Sequence, residues 1–168
     1  MQDQDRVPVP PRYARVNAWV ISPDTEAELR FLTTVFGFVE TPGSRMSDLD
    51  GDIGHVEVEL DGNVIMLFDA KPDWSPTPSH LRLYVGDAEA TVERAVVAGA
   101  RVVTRPTLLA FGERVARVRD PQGHLWWLHE HVEDVAPDEL ASRFADPAAI
   151  EAMTYVQRSL REEMADRS

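Results

Sequence analysis

The stretch Arg117-Val118-Arg119-Asp120-Pro121-Gln122-Gly123-His124-Leu125-Trp126-Trp127-Leu128 decides the fold of this chain. Asp120 to Gly123 puts proline at the second position of a four-residue turn and glycine at the fourth. Val118 on one side and the run from Leu125 to Leu128 on the other are strand formers, so a β-hairpin is predicted. An earlier hairpin has the same character. Val56, Val58 and Leu60 alternate up to Asp61-Gly62, and Val64-Ile65-Met66-Leu67-Phe68 runs back, which places the two turns about 60 residues apart.

Working outward, a helix signature precedes each turn, and these too are in step. The first runs from Ser22-Pro23-Asp24 through Ala27, Phe31 and Val35 to Gly37; the second runs from Asp87 through Val92 and Val96 to Gly99. A short apolar strand stands before each helix, Val16 to Ile21 and Leu81 to Val85. The order strand, helix, two or three strands is therefore written twice, and the fold class is α+β.

The 168 residues suffice for one sizeable core or two small modules, and a hydrophobic fraction of 43% with 8% aromatics is globular. A formal net charge of -12 argues against nucleic acid or an anionic membrane as partner, because both need clustered cations. The absence of cysteine excludes disulfides, thiolate catalysis and zinc-thiolate sites. No basic and apolar leader opens the chain and no apolar stretch reaches membrane-spanning length, so a cytoplasmic location is expected.

Composition divides the chain into five parts. Residues 1–13, with Pro8, Pro10 and Pro11, read as an extended arm; 14–70 as the first module; 71–79, punctuated by Pro72, Pro76 and Pro78, as a linker; and 80–132 as the second module. Residues 133–168 form a helical extension. In it Ile150, Met153, Val156, Leu160 and Met164 follow helical spacing, a stripe that must pack on this domain or on a second subunit.

With the repeat, the linker and the Asp-Pro-x-Gly hairpin in place, residues 14 to 132 resemble the vicinal oxygen chelate superfamily of glyoxalase, bleomycin-resistance and extradiol dioxygenase proteins. The resemblance implies two tandem βαβββ modules whose curved mixed sheet surrounds a central cavity, and a homodimer that often exchanges modules between subunits. Metal-dependent relatives draw ligands from the first and last strand of each module. By register those positions fall on Asn17, Met66, His80 and Trp127. Only His80 is a good donor to a divalent ion, Asn17 is a weak neutral oxygen, and Met66 and Trp127 offer nothing, so no metal is expected at the family position. A shifted site drawn from His80, His129 and Glu57 stays open.

Strand alternation indicates which side chains face the cavity. His55, Glu57 and Glu59 lie opposite the buried row of Val56, Val58 and Leu60. Asn17 and Trp19 on the first strand, Met66 and Phe68 on its module's last, and His80, Arg82 and Tyr84 join them, followed by Arg117, Trp127 and His129. Glu57, Glu59 and His55 are expected either to pair with Arg82, Arg117 or Arg119, or to act on a ligand proton. His80 and Glu57 are the candidate catalytic groups, and the remainder are candidate ligand contacts. His124 is expected to bond the turn backbone, and Trp126 to be core.

Apolar walls with a few convergent polar groups suit a small, aromatic organic ligand. The resemblance then implies a binding protein similar to the bleomycin-resistance branch, which protects by sequestering an antibiotic. The alternative is a lyase, isomerase or cyclase of secondary metabolism that uses the same cavity.

Overall fold

Two aspartates start the two module helices at the same place in the repeat. Asp24 Oδ1 accepts from Ala27 N at 2.8 Å and Asp87 Oδ1 accepts from Ala90 N at 2.9 Å, each satisfying a backbone donor that a helix N-terminus leaves unpaired. The helices are α1 (Thr25–Phe31), continued by a π-helical turn over Leu32–Phe36, and α2 (Ala88–Val97). Gly37, at φ +81°, closes the first, where an L side chain would be strained.

The computed structural model describes residues 9–165, so most of the expected N-terminal arm, residues 1–8, lies outside the described residues. The chain divides into two compact units that meet at Pro78 and Ser79. In the first unit, β1 (Ala18–Ser22) pairs in parallel with β5 (Asn63–Asp69), which pairs antiparallel with β4 (Ile53–Leu60). The outer edge of β4 is covered by two short strands, β2 (Val39–Glu40) and β3 (Met46–Ser47). Pro42 and Gly43 interrupt this edge, and the Glu57 backbone there is satisfied by Thr41 N and Ser44 Oγ instead of a ladder.

The second unit repeats the plan. The order is β6 (His80–Tyr84), β9 (Leu125–His131), β8 (Glu113–Arg119) and β7 (Arg101–Leu108), with β6 parallel to β9. Pro106 lies on the edge strand β7, where a missing N–H is tolerated and the ladder slips. The expected α+β fold of two βαβββ modules is present, each with its own mixed sheet. One correction concerns β1, which begins at Ala18 and leaves Val16 and Asn17 outside the strand.

Each sheet buries one face beneath its helix. Val20, Leu67, Val56 and Val58 are fully buried in the first unit, as are Leu128, Ala116 and Val118 in the second, with Trp126 at 2% exposure. Alternation sends the intervening side chains to the opposite, open face.

In the second unit that open face is partly covered. After α3 (Pro137–Ala145), α4 (Pro147–Ala165) packs along β7. Val156 buries against Leu109 and Val115, with Ala152, Met153 and Tyr155 around it. Next to this apolar patch the interface is polar. Ser159 Oγ lies 2.8 Å from Thr104 Oγ1, Tyr155 Oη accepts from Arg105 N at 2.9 Å, and Glu163 pairs with Arg119 and, at 2.6 Å, with Arg101.

The buried side of α4 therefore differs from the apolar stripe predicted for it. Ser159 and Glu163 are buried while Ile150 and Met164 are 53% and 44% exposed. The reason lies in the sheet: β7 and β8 present Thr104, Arg117 and Arg119 there, and buried polar groups require polar partners.

The Arg119–Glu163 pair is the costly member of this interface, because both side chains are almost wholly buried. Burial pushes the Glu163 carboxyl up, but hydrogen bonds from Arg101 and Arg119 outweigh it, and the group stays charged below the usual carboxylate range. Glu163→Ala leaves Arg119 uncompensated and should cost about 3–5 kcal/mol, read as a lower urea midpoint. Because the folded pKa is depressed, the stabilisation is fully present above the unfolded value of about 4.3. It should fade as pH falls below that toward the folded value, with wild type approaching the variant in an acid melting series.

Candidate functional site

In the first unit the open face is built in cross-strand rows. Trp19 of β1 stands beside Met66 of β5, and Met66 beside Glu57 of β4. One row further, Ile21 neighbours Phe68. Rings run edge to face across it: Trp19 is 5.5 Å from His55 and 5.3 Å from Phe68, and Phe68 is 6.1 Å from Trp74. Trp19 is 50% and Trp74 47% exposed, a large amount of aromatic surface to leave on one face.

Glu57 is 5% exposed among these rings. Tyr13 Oη donates to Oε1 at 2.6 Å, Arg12 Nη2 to Oε2 at 3.2 Å, and His55 Nε2 lies 3.4 Å from Oε1. The Tyr13 hydrogen bond chiefly holds the carboxyl below its ordinary range, against burial, with His55 and Arg12 assisting. The same bond raises the Tyr13 phenol. Glu57 was expected to pair with Arg82, Arg117 or Arg119; its cation is Arg12 from the N-terminal arm, for which the sequence carries no periodic signal.

Asn17 closes on its own chain, accepting from Ala14 N at 3.1 Å and donating to Ala14 O at 2.7 Å. Glu59 lies apart from the rings and helps line a cavity of about 540 Å³ between β2 and the β4–β5 turn, together with Arg12, Thr41 and Asp61.

In the second unit, Arg82 of β6 is in register with Trp127 of β9, and Trp127 with Arg117 of β8. Arg117 Cζ lies 3.9 Å over the Trp127 ring, close enough for a cation–π interaction. The same guanidinium donates to Thr104 Oγ1 at 3.0 Å and to Val156 O at 2.9 Å, so α4 holds it. Burial without a carboxylate lowers it to about 10, still charged at neutral pH. His80 is exposed, with its ring 6.5 Å from Trp127.

At the other end of this face, Tyr84 is in register with His129. His129 Nδ1 is 2.6 Å from Glu113 Oε2, and Tyr84 Oη donates to Glu113 Oε1 at 2.9 Å. Burial pushes the Glu113 carboxyl up, yet the bonds from His129 and Tyr84 prevail and it lies below its ordinary range. Glu113 was missed in the sequence, although alternation back from Arg117 through Val115 points to it. Arg82 lies 5.2 Å over the Tyr84 ring and makes no ion pair among the described residues.

His124 bonds elsewhere than expected: its Nδ1 accepts from Ser79 N at 3.0 Å, tying the turn to the start of β6. Asp120 holds the turn itself, accepting from Gln122 N and His124 N at 2.9 Å each and from Trp126 Nε1 at 2.7 Å.

Of the four positions that the resemblance picks out, three carry no free hard donor. Asn17 is committed to Ala14, and the side chains of Met66 and Trp127 offer no hard donor. Among the described residues, no group of three or more His, Cys, Asp or Glu side chains is placed to hold a metal ion.

Comparison with known proteins agrees with the fold. The sequence model of the Glyoxalase/Bleomycin resistance protein/Dioxygenase superfamily matches residues 12–128. An uncharacterized protein of Mycobacterium bovis, Mb0911c, is 32% identical over 128 residues, covering 70% of this chain and 83% of that protein. Among solved structures, TioX from Micromonospora sp. ML1 is 26% identical with a TM-score of 0.54, covering 70% of this chain and 99% of its own. The fosfomycin resistance protein FosX from Mesorhizobium loti, at 17% identity and TM-score 0.53, covers 77% and 97% and shares the fold.

The carboxylate in the first unit can be tested without a ligand. Tyr13→Phe removes the hydrogen bond that most lowers Glu57, so the Glu57 carboxyl should titrate at higher pH in carbon-13 NMR. An unchanged titration would show that the bond does not form.

Proposed function

Because the chain belongs to the glyoxalase, bleomycin resistance protein and dioxygenase superfamily, we propose that it binds a small aromatic organic molecule, without a divalent metal at the positions its metal-dependent relatives use. The observation that carries this reading is the chain of rings Trp74, Phe68, Trp19 and His55 on the open face of the first unit, with both tryptophans about half-exposed. Such rings supply flat apolar contact at low conformational cost, and a polar group nearby fixes orientation. The donor set at the family positions supports binding without a metal. Glu57 suits the orienting role better than that of a base, because its two oxygens already accept from Tyr13 and Arg12.

Sequestration of an antibiotic is the specific form of this reading. One structural relative is a fosfomycin resistance protein, but that likeness extends to the fold alone. The proposal includes a homodimer, which light scattering would register as twice the 18.8 kDa of the chain.

Titration of tryptophan fluorescence with metal-free bleomycin and with 2-naphthoate tests the proposal. At least one should bind, EDTA should leave its affinity unchanged, and Trp19→Ala should weaken it about tenfold, the loss expected for one stacked ring. Binding abolished by EDTA and restored by a divalent ion would overturn the metal-free reading. Equal affinity in wild type and Trp19→Ala would remove the aromatic face from the site.

A further inference from the structure

Among the described residues, Arg117 Nε and Arg119 Nη2 on β8 lack a hydrogen-bond partner, although each guanidinium is bonded through another nitrogen. Two further buried polar atoms of the same open face lack one on β9. These two are His129 Nε2 and Trp127 Nε1, from residues two apart that share one face of the sheet. In a folded interior such atoms each cost a substantial fraction of the stability, and native proteins leave few. One is an indole donor. The other is a basic lone pair when the neutral imidazole carries its proton on Nδ1, facing the Glu113 carboxylate.

The arrangement around His129 is the one general-base catalysis requires. Glu113 Oε2 lies 2.6 Å from Nδ1. As acceptor of an Nδ1–H hydrogen bond, the carboxylate fixes the tautomer that leaves Nε2 basic and compensates the positive charge that appears when Nε2 takes a proton. Tyr84 Oη in turn fixes Glu113 from its other oxygen. Arg82, stacked over Tyr84 and without an ion pair among the described residues, supplies a cation on the same face. Arg117 is already engaged by Thr104 and Val156 and is not available for that purpose.

From these positions we propose that Glu113 and His129 form a metal-free general-base dyad. Its substrate is a planar molecule with an acidic C–H or O–H, whose anion is taken by Arg82 and whose carbonyl or nitro oxygen accepts from Trp127 Nε1. The proton moves from substrate to His129 Nε2. The electron pair stays on the substrate as an enolate or phenolate, or forms a new π bond while an adjacent bond to a leaving oxygen breaks and that oxygen departs with its electron pair. No oxidant is required. This reading rests on small-molecule binding but assigns the chemistry to residues other than His80 and Glu57. Glu113 is a positioning residue, since it acts through the imidazole.

The test uses 5-nitrobenzisoxazole with the full chain. A base removes its ring C–H, the electron pair forms the nitrile, and the N–O bond breaks to leave a coloured phenolate. Wild type should open the ring about 100-fold faster than free imidazole at equal concentration. His129→Gln should lose that excess, and free imidazole should restore part of it in His129→Ala, which a purely structural role would not allow. Glu113→Gln should lower kcat for ring opening while leaving the KM for 5-nitrobenzisoxazole within twofold, a split that separates positioning of the base from binding of the substrate. His131→Ala, at the exposed strand end, should behave as wild type.

Ring opening no faster than imidazole, or undiminished in His129→Gln, overturns the dyad. If 2-naphthoate or bleomycin still binds in that case, the binding reading stands; if neither binds, both readings fall together.

Discussion

In each module a carboxylate at the end of the last strand reaches across to the N-terminus of that module's helix. Asp69 Oδ1 accepts from Thr25 N at 2.8 Å, and Glu130 Oε2 accepts from Ala88 N at 2.9 Å. Each follows the module's last-strand family position, Met66 or Trp127, by three residues, and each acceptor meets the first residue of the helix. A negative charge there satisfies an orphan donor and opposes the positive end of the helix dipole. The second oxygen is also used: Asp69 Oδ2 accepts from Ile53 N at the start of β4, and Glu130 Oε1 accepts from Arg114 on β8. One side chain thus ties helix, last strand and neighbouring strand together, with the first and last strands held parallel and the apolar face under the helix.

Once that geometry is set twice, the difference between the modules lies on the open faces. The first keeps rings, two half-exposed tryptophans among them, around a carboxylate that Tyr13 and Arg12 hold. The second gives part of its face to α4. Arg117 and Arg119, which alternation points away from α2, meet Val156 and Glu163 of that helix. The rest of the face carries Arg82 and Tyr84, which are exposed, beside Trp127 and the Glu113–His129 pair, whose His129 is buried.

Much of this was legible in the chain. The Asp120-Pro121-Gln122-Gly123 turn, the caps at Asp24 and Asp87, and the glycines at 37 and 99 are local signals, satisfied by atoms a few residues away. The placement of His55, Glu57, Trp127 and His129 opposite the buried rows followed from a period of two. The partners of these residues did not follow. Arg12 reaches Glu57 across 45 residues, and Arg119 reaches Glu163 across 44, distances over which no periodicity operates. The edge strand broken into β2 and β3 was equally hidden, because Thr41 and Ser44 replace a ladder only when β4 lies beside them.

The sequence by itself determined the repeat, the two helices with their caps, the hairpin turns and the alternation that assigns each strand residue to a face. Those features rest on turn sterics, hydrogen bonds between near neighbours and the period of the strand. The tertiary structure decided which charges are matched, which face α4 covers and which polar atoms stay without a partner. Such outcomes depend on segments distant in sequence meeting in a desolvated interior, where a polar group left alone is expensive and a matched one is held. His129 shows the division: its side of the sheet was readable from the strand, but its Glu113 partner and its unpartnered Nε2 were not.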